Sequence, residues 1–120
     1  MNHSYYLNYA AAISLKSRVE TPYRARQYFL AAVGFSRSGV LRNAVNRTSP
    51  GVQRTPQGHA ERVLLRKAKG VKVVYVARTQ PSGEWAMAKP CDTCEAALRA
   101  AGVQRVIYTI SHNEYGVLDL

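Results

Sequence analysis

The chain of 120 residues holds only two cysteines, Cys91 and Cys94, too few for the disulfide framework of a small secreted scaffold. It also lacks any run approaching the roughly 20 apolar residues of a membrane-spanning helix. The N-terminal stretch "MNHSYYLNYAAAISLKSR" has neither the basic start nor the unbroken apolar segment of a signal peptide. A soluble cytoplasmic protein with no membrane partner is the expectation. Acidic residues are scarce as well: seven Asp+Glu stand against 17 Lys+Arg, for a formal net charge of +10. None lies between Glu20 and Glu61, an interval that carries Arg24, Arg26, Arg37, Arg42, Arg47 and Arg54. That imbalance favours a phosphate-bearing partner or an anionic surface.

The chain has an apolar fraction of 47%, enough to bury a core, and its length suits a single domain over residues 1–120. Ala10, Ala11, Ala12, Ile13 and Leu15 predict a first helix from Leu7 to about Val19, ended by Thr21-Pro22. Tyr5, Tyr6 and Tyr9 are expected to pack that helix onto the core. Two apolar stretches flanking "RSG" predict a hairpin with strands at about Tyr28 to Phe35 and Val40 to Val45. "RTSPGVQRTPQG" is rich in turn formers and reads as a long loop. A helix from His59 to about Lys69, with Gly70 as its stop, precedes the β-branched strand "VKVVYVAR". The segment "TQPSGEWAMAK" reads as a loop with a short extended piece, Cys91 to Ala101 as a third helix, and "VQRVIYTI" as a strand. "YGVLDL" is long enough only for a short strand returning antiparallel. The order α, β, β, α, β, α, β, β implies an α/β fold of three layers, α/β/α, around a mixed sheet of four to five strands. Sites in such sheets form where strands end and helices begin, and His59 and Cys91 both stand at such starts.

Cys91 and Cys94 are three residues apart, on one face of a first helical turn behind Pro90. Taken alone, the pair suits a redox couple, a structural zinc site completed by His3 or His112, or part of a catalytic zinc site. The positive end of the helix dipole favours the thiolate that a metal needs. His59 offers a third ligand, and a His/Cys/Cys set leaves the fourth position of a tetrahedral zinc open, as a catalytic site requires. Glu61 is placed to take a proton, because side chains of a first turn lean back toward the helix start. Trp85, Tyr28, Phe29 and Tyr108 read as core, although a loop aromatic such as Trp85 can also stack on a base.

"HAE" at 59–61, followed 32 residues after its histidine by "PCDTC", resembles the zinc signature of the cytidine deaminase superfamily. The resemblance covers most of the chain in element order. It implies one zinc ion per chain held by His59, Cys91 and Cys94, with Glu61 as proton carrier in the hydrolytic conversion of cytosine to uracil. It also implies substrate contacts at Asn46, which ends the second strand, and at Ala60 and Pro90 beside the ligands. Relatives acting on nucleosides usually carry a glutamate two positions after that asparagine, where this chain has Thr48. The expected substrate is a pyrimidine nucleoside or nucleotide. Cytosine in single-stranded DNA or RNA is the alternative that the charge motivates, and a non-catalytic, zinc-stabilised nucleic-acid-binding module is the other. A homo-oligomer is left open.

Overall fold

In the computed structural model the described residues are 2–20, 30–45 and 59–120, with the side chains of 18–20 left aside. The elements run α1 (His3–Glu20), β1 (Leu30–Phe35), β2 (Leu41–Val45), α2 (Ala60–Lys67), β3 (Val73–Thr79), β4 (Trp85–Ala86), α3 (Asp92–Ala100), β5 (Arg105–Ser111) and β6 (Glu114–Asp119). The loop expected after β2 falls outside the described residues, as do Tyr28 and Phe29.

The sheet has the order β2-β1-β3-β5-β6, and the two-residue β4 pairs with β3 beside this path. It is mixed: β3 and β5 are parallel, whereas β1 is antiparallel to both of its neighbours and β6 is antiparallel to β5. The count reaches six rather than four or five because "GEWAMAK" does supply a strand, Arg78 and Thr79 pairing with Ala86 and Trp85. A pleated strand sends alternate side chains to opposite faces. Ala32, Val74, Val76 and Val106 accordingly join Val63, Leu64 and Leu98 of α2 and α3 in one core cluster. Ala31, Val33, Tyr75, Ala77 and Ile107 join Leu7, Ala10 and Ala11 of α1 in the other. The α/β/α layering follows from this alternation.

α1 begins four residues earlier than its alanines suggest. The side-chain oxygen of Asn2 accepts a hydrogen bond from the backbone N–H of Tyr5 at 3.0 Å, an N-cap that satisfies one orphan donor of the first turn. Of the three tyrosines expected to pack inward, only Tyr6 is partly buried; Tyr5 and Tyr9 are exposed. Tyr6 meets Tyr75 with ring centroids 5.1 Å apart and Phe35 at 5.7 Å. A buried hydrogen bond of 3.0 Å between the hydroxyls of Ser14 and Thr79 also ties α1 to β3.

Gly34 allows β1 to approach the turn after α2. A Cβ there would lie 2.7 Å from Val71 Cγ2 and 3.0 Å from the carbonyl oxygen of Val73. Because the second contact is backbone and cannot rotate away, Gly34→Ala should cost about 1–3 kcal/mol, the usual range for overpacking. Chemical denaturation at unchanged m-value is the check, and an unaltered midpoint would show that the strand slides to make room.

Candidate active site

α2 and α3 begin side by side at the end of the sheet where β3 terminates, and both helices are entered in the same way. His59 (φ −65°, ψ 147°) and Cys91 (φ −70°, ψ 166°) are extended N-cap residues, so the helices start one residue later than the sequence suggests. Each cap carbonyl accepts the first helical hydrogen bond, His59 from Val63 at 3.0 Å and Cys91 from Glu95 at 2.8 Å. Neither cap side chain bonds its own helix, which leaves both to face the gap between the helix starts.

His59 Nδ1 lies 3.2 Å from Cys94 Sγ and 3.7 Å from Cys91 Sγ. The three donor atoms all fall within 4.8 Å of one another. Both cysteines are free; Cys94 is wholly buried and Cys91 exposed. The alternatives for the pair fare differently. His3 is occupied by the Tyr75 hydroxyl at 2.9 Å, and His112 accepts the backbone N–H of Trp85 at 3.4 Å. Among the described residues neither joins the cluster, so no fourth protein ligand closes it.

Glu61, in the first turn of α2, is 2% exposed. Its Oε1 is the one buried side-chain polar atom without a hydrogen-bond partner among the described residues. Burial pushes its carboxyl above the ordinary carboxylate range, against a smaller opposing effect of its own backbone hydrogen bond. Burial likewise pushes the Cys94 thiol well up, and the facing Glu61 carboxylate adds to this, followed by Cys91. Arg62 acts the other way on Cys94. The buried Cys94 thiol and the Glu61 carboxyl, one oxygen of which has no partner, are both costly to ionise where they stand, and a divalent cation offsets that cost. The donor set, soft sulfur with imidazole, suits zinc.

Arg62 is the member of this neighbourhood that the sequence reading passed over, although it directly follows "HAE". Ala60 is fully buried in the α2/α3 cluster, and Pro90 is buried just ahead of α3. Trp85 is buried in the cluster on the α1 side, consistent with a core role. Asn46 and Thr48 lie outside the described residues.

An α/β/α fold with a His/Cys/Cys cluster open to a buried carboxyl defines a zinc-binding deaminase. The family model for the cytidine and deoxycytidylate deaminase zinc-binding region matches residues 1–110, and the chain belongs to that family. Zinc is its cofactor. Among solved structures, the fold is similar to cytidine deaminase from Burkholderia pseudomallei, with a TM-score of 0.62 at 15% identity, over 99% of this chain and 93% of that one. It is similar also to cytidine deaminase from Mycobacterium leprae, with a TM-score of 0.53 at 17% identity, over 92% and 91% of the two chains. No curated protein matches the sequence. No helix among the described residues is long and apolar enough to cross a membrane.

Proposed function

We propose that the protein is a zinc-dependent hydrolase that deaminates the cytosine base of a nucleoside or nucleotide, giving the corresponding uracil nucleoside or nucleotide and ammonia. The observation that carries this reading is the convergence of a ligand atom of His59 and the two cysteine sulfurs within 4.8 Å, beside the buried carboxyl of Glu61, whose Oε1 has no partner. His59, Cys91 and Cys94 hold the ion in this reading. Zinc bound there supplies the Lewis acidity that makes water a nucleophile near neutral pH. Glu61 takes a proton from the attacking water at its carboxylate and delivers it to the ring nitrogen beside the amino-bearing carbon. It then protonates the departing amino group, so that cytosine and water give uracil and ammonia. Ala60 and Pro90, one residue from a ligand each, are proposed substrate contacts in this reading, and Asn46 is the proposed sugar or base contact.

The second reading, cytosine within single-stranded DNA or RNA, is favoured by the net charge of +10. A mass-spectrometric assay of zinc-loaded protein against cytosine, cytidine, deoxycytidine, their monophosphates and cytosine-bearing oligonucleotides separates the readings. Conversion of a monomer at a rate little affected by salt between about 50 and 200 mM is the expected result. Turnover confined to oligonucleotides and suppressed steeply by salt would replace the first reading with the second.

A further inference from the structure

A second feature lies at the far end of α2 from the metal-ligand cluster. From residue 21 to residue 83 the sequence carries twelve Lys and Arg and a single carboxylate, Glu61, which is buried and faces Cys94. Five of those cations, Arg37, Arg42, Lys67, Lys69 and Lys72, line two neighbouring depressions of about 490 and 350 Å³ that share Arg37. Among the described residues no acidic side chain lines either one. None of the five forms an ion pair within the chain among the described residues. Like charges gathered without counter-charges repel one another, so a surface normally disperses them unless the field has a use.

The cluster is also held in place. The backbone N–H of Arg37 donates to the carbonyl of Lys69 at 2.8 Å, which locks the β1–β2 turn to the turn after α2. Arg37 then lies across Gly70, where an added Cβ would come within 2.8 Å of the arginine's Cβ and 2.9 Å of its Nε. The Lys67 ammonium donates to the Asn43 carbonyl at 3.1 Å, fixing it over β2. Eight residues of α2 span about 12 Å at 1.5 Å each. The turn after α2, next to Lys67 and Lys69, thus stands at the opposite end of the helix from His59 and the metal-ligand cluster. One phosphate needs two or three donors; five cations spread over adjoining depressions fit repeated phosphates.

We infer that Arg37, Arg42, Lys67, Lys69 and Lys72 form a binding site for the phosphodiester backbone of a nucleic acid, distinct from the metal-ligand cluster. It stands whatever enters that cluster, and it acts by docking the protein on the polymer. The test is fluorescence anisotropy with zinc-loaded protein, using labelled oligo-dT, which offers no cytosine, and a labelled duplex, each titrated from about 50 to 200 mM salt. With four or five phosphates engaged, affinity for the single strand should fall roughly 50- to 130-fold over that range, since each phosphate contributes about 0.7 to the slope. The triple variant R37Q/K67Q/K69Q should bind at least tenfold more weakly, with the slope reduced by about 2. The variant K16Q/R99Q/R105Q removes the same net charge elsewhere and should bind like the parent. Zinc content and melting midpoint establish that each variant is folded. If the two triple variants weaken equally, or R37Q/K67Q/K69Q binds both polymers as the parent does, the inference fails. A cluster that prefers single strand over duplex, or the reverse, identifies which backbone it reads. Because oligo-dT cannot be deaminated at cytosine, failure here leaves the deaminase reading untouched, and the reverse also holds.

Discussion

Glu61→Gln should retain zinc and fold and lose turnover by a factor of roughly 10²–10⁴, the usual worth of a positioned proton carrier. The substitution preserves size and removes only the ability to exchange a proton, so a loss confined to kcat points at chemistry. At 2% exposure and with Oε1 unpartnered, the wild-type carboxyl pays for its burial in stability, and Gln is neutral at every pH. The variant's melting midpoint should therefore equal or exceed that of the parent. A residue optimised for folding would show the opposite pattern. Zinc by atomic absorption, the midpoint and initial rates of ammonia release are the three measurements. Should the variant keep more than about a tenth of the parental rate, Glu61 is not the carrier. A folded, zinc-loaded parent that releases no ammonia from any cytosine or adenine substrate would instead fit the non-catalytic, nucleic-acid-binding module.

The expectation for Glu61 was readable because its neighbours fix it locally. An N-cap histidine places the residue two positions on within the first turn, and no distant contact is needed to aim it at the helix start. The same holds for Cys91 and Cys94, which share one turn. What linear reading left open was whether the two helix starts meet, and that depends on the sheet. β3 and β5 are parallel neighbours joined through α3, while β1 intervenes between β2 and β3, so both helices lie on one face with their N-termini at one end. Alternation within β1 and β3 was visible as apolar residues, but it does not say which face takes α1 and which takes α2 and α3.

The basic cluster was invisible for a different reason. Arg37 and Lys69 belong to separate turns 32 residues apart and meet only through the hydrogen bond between their backbones. Sequence charge counts located the excess in the chain but not on the surface. α1 starts early because Asn2, outside the apolar run, caps it, and Tyr5 and Tyr9 stay exposed because the face of α1 that meets the sheet runs through Leu7, Ala10 and Ala11. β4 escaped as a full strand because two residues carry no period.

Removing the metal should lower the melting midpoint on the order of 10 °C and abolish turnover, with both restored by Zn²⁺. A ligand at about 1,000 times its dissociation constant stabilises the state it binds by about 4 kcal/mol, and a chain of this size converts each kcal/mol into a few degrees. The structural reason is specific: without a cation, burial and the facing Glu61 carboxylate disfavour ionisation of the Cys94 thiol, and burial disfavours ionisation of the Glu61 carboxyl. Substituting the two cysteines should separate metal loss from packing loss. Cys91 is exposed, so metal-free Cys91→Ser should melt with the metal-free parent. Cys94 is wholly buried in α3, so metal-free Cys94→Ser should melt lower still, by the equivalent of about 1–3 kcal/mol, because a hydroxyl replaces a soft, weakly hydrated sulfur in the core. Neither variant should bind zinc at the parental stoichiometry. Chelation that leaves both midpoint and activity unchanged would mean that His59, Cys91 and Cys94 hold no ion the protein depends on, and the catalytic reading would fall with it.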